Sequence, residues 1–165
     1  MRRHWVMGSP VGELTLVAED GVLTRLTMDS QKYVSEAPDL GVRDEAVFRV
    51  VMGQLEEYFA GERTTFDIPL APAGDAFKQR VWGLLRQIPC GQTRSYRDLA
   101  VALGDPKLSQ AVGSANARNP IGIIIPCHRV IGSDGSLVGY AGGLDRKRFL
   151  LALEEPAEVR DARLF

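Results

Sequence analysis

The sequence is short of the residues that bind metals and staple secreted domains. In 165 residues there are two cysteines, Cys90 and Cys127, and two histidines, His4 and His128. Two cysteines are too few for a disulfide framework and fit a reducing compartment. Four such side chains, this widely spread, offer no zinc-ligand spacing, so neither a metal nor another cofactor is expected. No apolar run approaches the length that spans a bilayer, and the first residues carry charge where a signal peptide would need its apolar segment. A cytoplasmic protein with no membrane partner is the expectation. Strong charge is missing too: 20 Lys/Arg against 21 Asp/Glu leave a net −1, which does not advertise a nucleic-acid binder. The distribution is less even. Residues 1–74 carry 7 Lys/Arg against 12 Asp/Glu and residues 75–165 carry 13 against 9, so the second half is the candidate for contact with a polyanion.

What is present suffices for a core. Hydrophobic residues make up 45%, enough for one compact domain or two small ones. From Trp5 to Met28 apolar and polar residues alternate, and Glu19-Asp20-Gly21 separates two such stretches, which predicts a hairpin. Gln31 to Gly41, with Pro38, reads as loop. Val47, Val50, Val51, Leu55, Tyr58 and Phe59 recur at helical spacing between a capping Asp44 and a terminating Gly61. Phe66 to Leu70 is a candidate further strand. This half shows no chemistry and is expected to be scaffold.

Ala71-Pro72-Ala73-Gly74 is the best linker signal. It divides the chain into an amino-terminal sheet-and-helix domain, residues 1–72, and a second domain, residues 73–165. Asp75 caps a helix with Phe77, Val81, Trp82, Leu84, Leu85 and Ile88 on its apolar face. Two shorter helices follow, from about Tyr96 to Leu103 and from about Lys107 to Ala117, broken at Gly104-Asp105-Pro106. That pairing matches a helix-turn-helix, whose second helix enters a DNA groove. The expected class is α/β: a small antiparallel sheet with one helix, then a mainly helical domain containing the helix-turn-helix. A charged, loosely held tail is expected from Pro156 to Phe165.

The stretch richest in chemistry is Asn119-Pro120-Ile121-Gly122-Ile123-Ile124-Ile125-Pro126-Cys127-His128-Arg129-Val130. A β-branched run closed by proline predicts a short buried strand that delivers Cys127 to a fixed place. An imidazole or fixed positive charge beside a thiol favours the nucleophilic thiolate. Pro-Cys-His-Arg-Val, preceded by Asn-Pro and followed by a Gly-rich segment ending Gly139-Tyr140-Ala141-Gly142-Gly143, resembles the O6-alkylguanine-DNA alkyltransferases, also called methylated-DNA–protein-cysteine methyltransferases. The likeness covers about the last half of the chain.

The resemblance implies single-turnover repair of duplex DNA, in which an alkyl group passes irreversibly from O6 of guanine to Cys127, with O4 of thymine a second target that the sequence does not separate. His128 would take the thiol proton through a water and Glu154 would steady the imidazole. Asn119 would support the turn and its network. The helix-turn-helix would dock in the minor groove, and the damaged nucleotide would be flipped out of the stack. Tyr96 would crowd the neighbouring phosphate, and Tyr140 would lie beside the extruded base. Ser95, Arg118 and Arg129 complete the expected DNA-contacting set, with Arg129 anchoring either local structure or a phosphate. Gln110 stands where the family carries an intercalating arginine, a departure that removes the charge. Ala141 stands where some relatives have serine. A monomer in solution is expected, with cooperativity along DNA left open. Two rivals remain at this stage: a non-catalytic lesion binder, whose kind lacks the cysteine, and a cysteine hydrolase using a Cys-His dyad.

Overall fold

In a computed structural model, residues 1–32 and 39–156 are described; the loop expected around Pro38 lies largely outside them, as does the tail beyond Pro156. The amino-terminal hairpin forms where alternation and turn predict it: β2 (Leu14–Glu19) pairs antiparallel with β3 (Val22–Met28), Leu16 facing Leu26 across the ladder. Asp20 and Gly21, both at positive φ, make the turn between them. β1 (Arg2–Met7) pairs antiparallel with β2. A two-residue β4 (Val42–Arg43), too short to leave a periodic signal, joins β1 in parallel. The sheet order is β3-β2-β1-β4. Asp44 caps a 3-10 turn over Glu45–Phe48 that runs into α1 (Arg49–Phe59), and Gly61 ends it at φ +77°. The Phe66–Leu70 stretch is not a strand. It makes a single bridge, Leu23 to Leu70, because Pro69 and Pro72 deny the segment continuous donors.

The second half is helical as expected. Asp75 caps α2 (Ala76–Leu85) by accepting from the Lys78 backbone. A capping box between Ser95 and Asp98 starts α3 (Tyr96–Ala102), and α4 (Ser109–Ala117) follows the 3-10 turn Pro106–Leu108, which Asp105 caps. Two dipeptides unseen in the sequence, β5 (Arg94–Ser95) and β6 (Val130–Ile131), pair in parallel. They tie the start of α3 to the chain just beyond Cys127-His128-Arg129. α5 (Leu144–Glu154) closes the described fold. No described helix is long and apolar enough to cross a membrane.

The isoleucine run is not a strand either. Ile121 makes one bridge to Leu26, and residues 122–124 turn with Ile123 at φ +69°. Strand propensity yields here to one buried side chain. Asn119 Nδ2 donates to the carbonyls of Ile125 (2.8 Å) and Ile121 (3.3 Å), and its Oδ1 accepts from the Ile121 amide (3.0 Å). These bonds curl the segment, and a β-branched residue at positive φ is strained. Leu26 of β3 brackets the turn, its amide donating to Pro120 and its carbonyl accepting from Gly122.

Trp82 locks the helices together. It is buried, and its Nε1 donates to the Ala115 carbonyl of α4 at 2.9 Å. Its ring lies where a side chain on Gly74 would stand. Trp82→Ala is expected to cost about 3–5 kcal/mol of unfolding free energy in denaturant titration. Val50→Ala, at a position of α1 that is 65% exposed, should stay within about 0.5 kcal/mol.

Candidate active site

The curled turn leads into a 3-10 turn formed by Cys127–Arg129. Cys127 is 6% exposed, with the Asn116 side chain of α4 donating to its carbonyl. Burial pushes the thiol up from its usual range, against the lowering effects of an Asn119 hydrogen bond and the Lys147 charge. The sequence suggested that His128 or Arg129 would favour the thiolate. The cation whose charge lowers the thiol's pKa is Lys147, and burial outweighs it.

Lys147 left no signal in the sequence beyond a helix charge. It is fully buried, and its Nζ donates to the carbonyls of Val130 (2.6 Å), Val138 (3.0 Å) and Gly139 (3.2 Å). Burial lowers its pKa to about 8. The Tyr96 hydroxyl donates to the same Val138 carbonyl at 2.9 Å. Together they gather β6, the glycine-rich loop and α3 around the thiol. Burial raises the phenols of both Tyr96 and Tyr140, and a charge on Cys127 would raise them further.

His128 is fully buried, and its Nε2 lies 2.7 Å from Glu154 Oε2. Glu154 is held ionised, its pKa lowered to about 2 because hydrogen bonds from His128 and Arg129 overcome its burial. Beside a carboxylate, Nε2 must carry the proton, so the neutral imidazole presents its lone pair at Nδ1. Burial lowers the imidazole's pKa despite Glu154, which keeps it neutral. Nδ1 is one of two buried side-chain atoms, with Asn116 Oδ1, that have no hydrogen-bond partner among the described residues. The arrangement is a base with a fixed tautomer and an open acceptor, one residue from a thiol.

Arg129 is buried and commits its guanidinium to Glu154, through Nε (2.7 Å) and Nη2 (3.0 Å), and to the Ile88 carbonyl. Of its two expected roles, the structure favours the local anchor over contact with DNA. Tyr58, read in the sequence as one member of an apolar stripe, is buried and donates its hydroxyl to Glu154 Oε2. Only its phenol distinguished it from its apolar neighbours.

Of the remaining expected residues, Gln110, Arg118 and Ser95 lie apart from this cluster. Gln110 is exposed near the start of α4, and Arg118 is exposed at its end with Nη1 donating to Ser114 Oγ. Ser95 is half-buried and engaged as a cap. Tyr140 is half-buried on the glycine-rich loop, which Arg146 fastens to Asp29 at 2.7 Å. No group of three or more His, Cys, Asp or Glu among the described residues could hold a metal.

Residues 3–72 match the ribonuclease-like domain, and residues 76–156 the DNA binding domain, of 6-O-methylguanine DNA methyltransferase. A methylated-DNA–protein-cysteine methyltransferase of Methanosarcina acetivorans is 50% identical over 149 residues, 90% of this chain and 96% of that protein. One from Mycobacterium tuberculosis is 47% identical over 165 residues, covering 100% and 99%. The crystal structure of Mycobacterium tuberculosis OGT in complex with DNA is similar at a TM-score of 0.89 and 47% identity, over 95% of this chain and 97% of that one. Matches of this extent, reaching from the sheet through the helix carrying Glu154, show that the chain belongs to the 6-O-methylguanine DNA methyltransferase family.

Proposed function

We propose that the protein repairs alkylated duplex DNA by taking the alkyl group from O6 of guanine onto Sγ of Cys127, once per molecule. The observation that carries this reading is the buried thiol next to an imidazole whose Nε2 is tied to an ionised Glu154 and whose Nδ1 is open. The thiol proton passes through one water to Nδ1 as sulfur attacks the alkyl carbon. The S–C bond forms and the C–O6 bond breaks, its electron pair leaving on guanine, which then takes up a proton. The imidazolium formed in passing is stabilised by Glu154, the logic of a base held by a third group. The thioether product does not hydrolyse, so the protein is consumed.

The thiol's burial is compatible with this chemistry because the substrate is an extruded base. The α3–α4 pair supports docking in the minor groove, with exposed Gln110 at the head of α4 entering the stack and Arg118, exposed at its end, turning toward a phosphate. Tyr96 and Tyr140 lie within electrostatic reach of the thiol and are suited to receive the base. Asn119 holds the turn that aims Cys127. In this division of labour residues 73–165 carry the transfer and residues 1–72 support it. The working form is a monomer in the cytoplasm, nucleoid-associated when bound to DNA.

A cysteine hydrolase is disfavoured because the matched relatives are alkyl acceptors by name, and a non-catalytic lesion binder is disfavoured because Cys127 is retained. Mass spectrometry after mixing with a duplex containing O6-methylguanine should show one permanent methyl on Cys127. Cys127→Ala should abolish transfer and keep lesion binding; dealkylation by that variant rules out the mechanism. Gln110→Arg should tighten duplex binding and speed repair at matched salt, because a longer, charged side chain is restored at the stack. Glu154→Gln leaves Arg129 without its counter-charge and should cost about 3–5 kcal/mol at neutral pH. The Glu154 pKa is lower in the folded chain, about 2 against an ordinary 4.5. The wild-type advantage should therefore be full above pH 4.5 and vanish as pH falls toward 2, as read in denaturant titrations across that range.

A further inference from the structure

Among the described residues the Glu154 carboxylate accepts four hydrogen bonds, and three of them come from one turn. Arg129 supplies two and His128 one, and all would move together if residues 127–129 shifted. The fourth comes from Tyr58, 96 residues away in sequence, on α1. Its ring is wedged against Phe59 and Phe66, with centroids at 5.3 and 5.4 Å. Packing alone would be met by phenylalanine, whereas a buried hydroxyl must find a partner. This one finds the oxygen that faces His128.

We propose that Tyr58 is a positioning residue for the alkyl transfer, its hydroxyl referencing Glu154 to α1 so that the imidazole keeps its Nδ1 acceptor aimed for the thiol proton. The inference rests on the reading of Cys127 as alkyl acceptor. It assigns to the amino-terminal part a share in the chemistry, where the sequence suggested only scaffold. Tyr58 is suited to donate and never to ionise, since burial and the adjoining carboxylate push its phenol far above the usual range. The titratable and charged groups that face the His128–Glu154 pair are Arg129 from the turn, Lys147 from α5, Cys90 after α2, Tyr58 from α1 and Tyr140 from the loop.

The test uses the full chain with Tyr58→Phe, which keeps the ring and removes the donor. Single-turnover methyl transfer from a duplex containing O6-methylguanine is followed across pH at saturating DNA, and the His128 imidazole is titrated by nitrogen-15 NMR. With one donor gone, Oε2 holds more charge against Nε2–H and favours the imidazolium. The rate is expected to fall about 10-fold, a part of the roughly 100-fold or more that a positioned base contributes. The acid limb of the rate profile and the His128 titration should move together to higher pH, with duplex affinity unchanged. Val51→Ala, buried on the same helix, should move neither and controls for lost packing. An unchanged rate at saturating duplex, a loss due wholly to weaker DNA binding, or the same shifts in Val51→Ala overturns the proposal. Absence of methyl on wild-type Cys127 would instead remove the reading beneath it, and the His128 titration would still decide whether Tyr58 governs Glu154.

Discussion

The structure depends on one carboxylate kept charged where water does not reach it. Glu154 is 8% exposed, and an isolated carboxylate so placed would protonate. Its pKa goes down instead because two donors from Arg129 and one from His128 act on it, and the pKa of Arg129 rises in the same exchange. The consequences run outward from that charge. It fixes the imidazole tautomer, draws Arg129 away from solvent, and gives the Tyr58 hydroxyl its place in the core. A neutral group at this position would leave a buried guanidinium uncompensated and the histidine free to choose either ring nitrogen.

The amino-terminal half reaches the site at three separate points. Leu26 brackets the strained turn ahead of Cys127 with two backbone bonds. Asp29 receives Arg146, and the Lys32 amide donates to Ala141, so the end of the glycine-rich loop is held from the same side. Tyr58 completes the set at Glu154. A side chain at positive φ such as Ile123 persists only when its surroundings over-determine it, and here the Asn119 amide on one side and β3 on the other do so. The part of the chain without apparent chemistry thus holds the turn, the loop and the carboxylate in register.

Legibility followed the range of the physics involved. Caps and turns were visible, because Asp44 and Asp75 act on backbone two or three residues away. The hairpin and helix pair were visible through period and punctuation. The isoleucine run misled, since β-branched residues favour strands until a buried asparagine offers the backbone other partners. Pro-Cys-His-Arg marked the candidate site as a contiguous motif, and Glu154 could be picked out only by its offset from Cys127. Tyr58 and Lys147 could not be picked out at all. Each is an amphipathic side chain whose polar end is buried by tertiary structure, so in sequence one looks like helix core and the other like helix surface.

The thiol's own chemistry gives these constraints a direction. Burial keeps Cys127 protonated at rest, and the Lys147 charge only moderates that. A standing thiolate would react with any electrophile or oxidant able to reach it. For a sulfur that is spent in its single productive reaction, such loss could not be recovered. In the proposed mechanism, holding the proton on sulfur and a lone pair on the neutral imidazole lets nucleophilicity develop only when an extruded base reaches the thiol and the proton has somewhere to go. The buried carboxylate makes that acceptor available without itself exchanging a proton, since its pKa of about 2 keeps it ionised throughout.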